Sequence, residues 1–147
     1  MTQEQKDLLL KDLCARLPYG VKAYVKNWSK LDRKYYEGVY TVESIHPSLN
    51  TILVYSERFS IEVIVGYDDY EIKPYLFPLS SMTEEQKNEL NEINDLEVEI
   101  AISHIKNDTP NLTTGITRLT WLLENHFDIY DLIPMGLAID ATGKNIY

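Results

Sequence analysis

The chain has 147 residues, 44% of them hydrophobic and 25% charged, with a formal net charge of −9. That composition belongs to a folded globular protein rather than a disordered one, and a single cysteine excludes an internal disulfide and any zinc site built on several thiolates. No run approaches the ~18 consecutive apolar residues of a membrane-spanning helix.

The start, Met1-Thr2-Gln3-Glu4-Gln5-Lys6, lacks a basic region followed by an apolar core, so a signal peptide is not expected. With the lone cysteine, this leads to the expectation of a cytoplasmic protein. Charge is unevenly spread: residues 1–40 hold eight Lys/Arg and five Asp/Glu, a balance of +3, whereas the remainder holds six and eighteen, a balance of −12. A mostly acidic surface repels phosphate backbones, so non-specific nucleic-acid binding by the whole surface is disfavoured.

Thr2 and Gln5 have the spacing of a capping box, in which hydroxyl and amide satisfy each other's free backbone N–H groups. Leu9, Leu10, Leu13 and Leu17 then share one helical face, with Lys6, Asp7, Lys11 and Asp12 mostly opposite. Pro18-Tyr19-Gly20 ends this helix. Residues 21–26 alternate, with Val21, Ala23 and Val25 pointing one way and Lys22, Tyr24 and Lys26 the other, as on a strand with one face on a core. Residues 28–34 read as a charged loop, 38–45 as a strand and 46–50 as a turn. Residues 51–55 and 60–65 read as further strands split by a polar corner at 56–58, with a turn at 66–69. Strands at roughly ten-residue intervals point to a small barrel. Pro74 cannot donate to a ladder, which places residues 72–76 in a turn or 3₁₀ segment at the barrel's edge.

Thr83 and Gln86 repeat the capping-box spacing and open a second helix to about residue 93. Residues 95–107 alternate like a strand, but a helix using Leu96, Ile100 and His104 fits as well. Residues 116–126 read as a helix with Leu119, Leu122 and Leu123 inward, and the tail carries an apolar run broken by Pro134 and Gly136. The expectation is one α+β domain over 1–147: an N-terminal helix (1–20), a small SH3-like antiparallel β-barrel or bent sheet (21–76), and a mostly helical C-terminal cap (77–147).

Three phrases resemble those of a family of small uncharacterised proteins encoded by phages and mobile elements of gut Bacteroides-type bacteria. They are Leu10-Lys11-Asp12-Leu13-Cys14-Ala15-Arg16-Leu17-Pro18-Tyr19-Gly20-Val21, then Ile72-Lys73-Pro74-Tyr75-Leu76-Phe77-Pro78-Leu79-Ser80-Ser81-Met82-Thr83, then Asn125-His126-Phe127-Asp128 with Leu132-Ile133-Pro134-Met135-Gly136-Leu137-Ala138. The resemblance implies a phage or mobile-element accessory protein and carries over no functional residue.

The chemistry-bearing residues suggest structure more than catalysis. His126 with Asp128 and Asp131 matches no dedicated metal-ligand spacing. A histidine near a helix C-terminus is better read as a partner of the last free carbonyls. Cys14 beside Leu13 and Leu17 reads as a small buried hydrophobe. No glycine-flanked nucleophile and no phosphate-binding loop occurs, so no catalytic residue, cofactor or metal is expected.

The pattern that invites a partner is Lys22, Tyr24, Lys26 and Trp28 on one strand face, followed by Lys30, Arg33, Lys34, Tyr35 and Tyr36. A solvated strand face is the plain reading. An aromatic-lined groove for a peptide is the second, and a platform for single-stranded nucleic acid the third. Eleven tyrosines against three phenylalanines favour surface contact. The functional expectation is a non-enzymatic binding module for a host or phage protein, with Lys22, Tyr24, Lys26, Trp28, Tyr35 and Tyr36 as candidate binding residues. A single-stranded nucleic-acid binder, or an acidic decoy or inhibitor of a basic host protein, is the alternative. No membrane partner is expected.

Overall fold

Helix α1 (Gln3–Arg16) begins where the capping box places it: the Gln5 amide donates to Thr2 Oγ1 at 3.2 Å and the Thr2 amide to Gln5 Oε1 at 2.9 Å. The computed structural model describes residues 1–29, 33–56, 60–65, 70–93 and 118–147. Leu9, Leu10 and Leu13 are buried as expected, but so are Asp12 and Arg16, which complete the same face at positions 9, 12, 13 and 16. Asp12 therefore does not belong to the solvent side. A 3₁₀ turn (Leu17–Tyr19) follows, and Gly20 reverses the chain at φ 69°, a left-handed conformation that costs glycine little.

Strands β1 (Lys22–Ser29), β2 (Lys34–His46), β3 (Thr51–Tyr55), β4 (Ser60–Ile64), β5 (Tyr70–Leu76) and β6 (Ile139–Asp140) form a six-stranded sheet in the order β4-β3-β2-β1-β5-β6. All pairings are antiparallel except β5–β6. Residues 28–34 are thus not a plain loop. β1 and β2 run on to Ser29 opposite Lys34, because Trp28 faces Tyr35 and their rings lengthen the hairpin. Gly38 leaves room for the Tyr40 ring, which would lie 3.4 Å from a Cβ there.

Residues 72–76 are also a strand, not a turn: Pro74 lies inside β5, opposite Ala23 of β1. With no N–H it fits only where the amide points away from β1, and β6 pairs with β5 only from Tyr75 onward.

The sheet is not closed. Four successive antiparallel pairings, β4–β3, β3–β2, β2–β1 and β1–β5, give β4 and β5 the same sense. Adjacent parallel strands need a crossover of about a dozen residues or more. The link here is residues 65–69, so the two strands leave a seam instead of a ladder.

One core fills the inner side. Ala23, Val25, Tyr40, Val42, Ile52, Val54, Val63 and Ile72 from the strands meet Leu9, Leu10 and Leu13 of α1 and Leu132, Leu137 and Ala138 of the tail. Burying each large aliphatic side chain contributes about 1.5–3 kcal/mol.

Among the described residues of 77–147, helix is confined to α2 (Glu84–Glu92), α3 (Arg118–Glu124) and a 3₁₀ turn (Leu79–Ser81), and the remainder runs in turns with β6. α2 has the expected capping box, with Gln86 N–H to Thr83 Oγ1 at 3.2 Å, yet buries no residue. In α3, Trp121 and Leu123 are buried while Leu119 is 53% exposed, so Leu119 does not face inward. Most of the corner after Ser56, the turn at 66–69, the segment 95–107 with His104, and the start of the helix expected from 116 lie outside the described residues.

Candidate functional site

Alternation along β1 puts Lys22, Tyr24, Lys26 and Trp28 on the outer face of the sheet, and β2 adds Tyr35, Glu37, Val39 and Thr41 directly opposite them. β5 contributes Glu71 and Lys73, opposite Lys26 and Tyr24. Tyr36 pairs with Asn27 and lies on the other face, so it leaves the group. Lys30 lies outside the described residues.

Trp28 and Tyr35 meet at 4.8 Å between ring centroids, tilted by 57°, and the Lys26 ammonium sits 4.7 Å from the Tyr35 centroid. Such an aromatic pair contributes about 0.5–1.5 kcal/mol and such a cation–π contact about 0.5–1 kcal/mol at a surface. The face is open: Tyr35 is 53%, Val39 44% and Tyr55 47% exposed. Tyr55 stands opposite Thr41, at the other end of the same face from Trp28 and Tyr35, with Glu37 and Val39 between.

The polar groups of this face are engaged locally. Lys73 bridges Glu71 at 2.8 Å, the Tyr24 hydroxyl donates to Glu37 at 2.9 Å, and the Lys22 ammonium donates to the Thr41 hydroxyl at 3.1 Å. Burial of the ring and the neighbouring Glu37 carboxylate push the Tyr24 phenol up to about 12, so it stays a neutral donor at physiological pH. This is a mixed-charge, aromatic face rather than a basic one.

Comparisons of this chain with protein-family models, curated proteins and solved structures find no match.

A second constellation ties the tail to the sheet, and its members were only partly visible in the sequence. Arg16, with no exposed surface, holds Asp12 with a two-pronged contact, Nε to Oδ2 at 2.8 Å and Nη2 to Oδ1 at 2.9 Å. Its remaining donors reach the Leu123 carbonyl at 3.3 Å and the Phe127 carbonyl at 2.6 Å. Arg16 therefore supplies the cation at the end of α3 that the sequence suggested for His126. Burial pushes the Asp12 carboxyl up against the opposing pull of Arg16.

His126 instead ends α3 through its backbone. It adopts φ 59°, its amide bonds the Leu123 carbonyl and the Phe127 amide the Leu122 carbonyl, the two bonds of a Schellman stop. Its ring stacks on Tyr147 at 3.8 Å and 13°, and its Nδ1 has no partner among the described residues. Burial, with the nearby Arg16 charge, lowers its pKa to about 4, so the ring is neutral at pH 7.

Tyr147 closes the arrangement. Its hydroxyl accepts from the Lys22 amide at 3.2 Å and donates to the Tyr75 carbonyl at 2.7 Å. One phenol thus bridges β1 and β5 just beyond the Ala23–Pro74 pair, where the direct ladder stops.

Asp128, near His126 and Asp131 in sequence, is occupied by the backbone. Both Asp128 oxygens accept backbone amides, from Leu132 at 2.9 Å and Ile133 at 2.8 Å, and no group of three ligating side chains forms among the described residues. Cys14 is exposed, correcting the expectation of a buried hydrophobe, and partial desolvation holds its thiol pKa up. No helix among the described residues is long and apolar enough to cross a membrane.

Proposed function

We propose that this protein is a non-enzymatic binding module, an accessory protein of a phage or mobile element, and that its outer sheet face receives a segment of a host or phage protein. The observation that carries the reading is the exposed Tyr35 ring packed on Trp28, with Val39 and Tyr55 exposed further along the same face, beside the Lys73–Glu71 and Tyr24–Glu37 contacts. Tryptophan and tyrosine give large contact area for little lost freedom and dominate protein interfaces. A strand-bound phosphate backbone needs uncompensated cations, whereas here Glu37 and Glu71 flank Lys26 on both sides. The meander order β4-β3-β2-β1-β5, open at one seam, supports an SH3-like reading of the sheet, an architecture suited to peptide docking.

The absence of an enzymatic role is supported by how the candidate groups are used. Asp12 and Asp128 are spent on internal hydrogen bonds, His126 is stacked and neutral, and the Cys14 thiol is held protonated.

Selection from a displayed random-peptide library against the whole chain tests the proposal. Enriched peptides are expected to lose at least about 10-fold in affinity on a Trp28→Ala/Tyr35→Ala variant, as hot-spot aromatics do. They should respond weakly to salt. Peptides that bind wild type and variant alike would overturn the assignment of this face. Tight, steeply salt-dependent binding of single-stranded DNA or RNA, without peptide binding, would favour the nucleic-acid reading instead.

A further inference from the structure

The cleft beside the Tyr147 clasp has a chemistry of its own. About 500 Å³ of space is lined by Phe77, His126, Phe127 and Tyr147, with Glu124 and polar groups such as Gln86 completing the wall; Phe127 is fully buried against Trp121 and forms the floor, so Phe77 and Tyr147 supply the ring faces. Phe77 stands at 48° to Tyr147 and 56° to Phe127, with centroids 6.0 and 6.3 Å away, so Phe77 and Tyr147 form an angled notch, backed by His126 stacked on Tyr147. No lysine or arginine lines the cleft among the described residues. His126 adds no positive charge at pH 7, since burial keeps it neutral. Arg16 lies behind the wall, spent on Asp12 and two carbonyls.

The electrostatics therefore have one sign. Aromatic faces carry negative quadrupole potential, the Glu124 carboxylate is the one charged side chain lining the cleft among the described residues, and the chain outside residues 1–40 carries a balance of −12. A neutral or anionic guest gains nothing from that arrangement. A cation with an apolar shell gains from both the rings and the carboxylate, which is how methylated ammonium groups are recognised.

We infer that the cleft formed by Phe77, His126, Phe127, Tyr147 and Glu124 is a binding site for an alkylated ammonium group. This site is separate from the outer sheet face and does not depend on the function proposed for it. The group has two possible sources, a free amine or a methylated lysine side chain, and both share the recognition chemistry.

Titration of the full chain, followed by NMR of the Phe77, His126 and Tyr147 resonances, tests the assignment. The probes are choline and 3,3-dimethyl-1-butanol, which have the same shape but differ in charge. Choline is expected to shift these resonances saturably and to bind roughly 5- to 30-fold more tightly than the neutral isostere, the range of a cation–π contact plus an ion contact. Glu124 is exposed, so Glu124→Gln keeps the fold and should weaken choline about 3- to 10-fold. A trimethyl-lysine peptide binding more tightly than choline would assign the group to a protein partner; equal affinity would assign it to a free amine. Equal binding of choline and its isostere, no saturable shift by either, or an unchanged affinity in Glu124→Gln would overturn the inference.

Discussion

Replacing Arg16 with methionine tests the account of how the tail is held. The side chain is fully buried, grips Asp12 at 2.8 Å and donates to the carbonyls of Leu123 and Phe127. Methionine fills much of the volume but leaves the Asp12 carboxylate and the Phe127 carbonyl without partners, while the Leu123 carbonyl keeps the His126 amide. Uncovering one member of a buried ion pair costs about 3–5 kcal/mol, and the one orphaned carbonyl about 1 kcal/mol. A loss of roughly 4–6 kcal/mol would consume much of the ~5–15 kcal/mol that holds a domain together. Urea denaturation followed by circular dichroism measures it. The double variant Asp12→Leu/Arg16→Met removes the stranded charge and should recover most of the loss, since only the Phe127 carbonyl stays unsatisfied.

The pH dependence gives a second check on the same variant. In the wild type, burial already raises Asp12 above its unfolded value, so its contribution is fully present below about pH 3.9 and is lost as pH rises through the raised folded value. Without Arg16 the folded pKa rises further, and the native state takes up a proton more readily than the unfolded chain. The penalty of Arg16→Met should therefore shrink between pH 8 and pH 5. A loss below about 1.5 kcal/mol, or a penalty that does not change with pH, would refute the reasoning.

His126 acts with the opposite sign. Its folded pKa of about 4 lies below the unfolded 6.5, so the stability it permits is present above pH 6.5 and falls as pH drops toward 4. About 2 kcal/mol should be lost across that window after allowing for solvent screening, and His126→Asn, which tolerates the positive φ, should remove the slope in urea midpoints. Tyr147→Phe removes only the hydroxyl that joins the Lys22 amide to the Tyr75 carbonyl, and thermal melts should show a loss of about 1–2 kcal/mol; no change would mean that the bridge is replaced by water. Thr2→Ala and Thr83→Ala remove identical caps, yet only the first should lower global stability, by about 1 kcal/mol, because α1 carries core leucines and α2 buries nothing. Hydrogen exchange should show Thr83→Ala loosening α2 alone. Tyr35→Ala should cost about 1–2 kcal/mol in the same melts, since it removes both the Trp28 ring contact and the Lys26 contact.

Local signals survived folding well. Both capping boxes, the leucine face of α1 and strand β3 sit where spacing placed them, because each depends on contacts within a few residues. The outer grouping of Lys22, Tyr24, Lys26 and Trp28 follows from period-two alternation alone. What sequence hid was set by distant partners. Pro74 reads as an edge breaker until Ala23 lies opposite it with its missing donor turned outward. Asp12 reads as solvent-facing until Arg16, anchored on two carbonyls of a segment more than a hundred residues away, draws it inward. A signal was present there: positions 9, 12, 13 and 16 have helical spacing, so charges at 12 and 16 share the leucine face. Nothing local marks Tyr147 as a bridge between two strands.

The place of β1 in the sheet bears on how the chain assembles. Its partner β2 arrives through a short hairpin, but its other neighbour, β5, begins at residue 70 and β6 only at residue 139. Closing those longer loops costs more entropy and comes later. During synthesis, one edge of β1 therefore waits unpaired while some forty residues emerge, with Ala23 and Val25 uncovered beside it. A strand edge in that state templates pairing between chains. The hairpin's own aromatic pair, Trp28 with Tyr35, stabilises the half-built sheet through this interval, which gives the same two rings a task in folding before any partner is met.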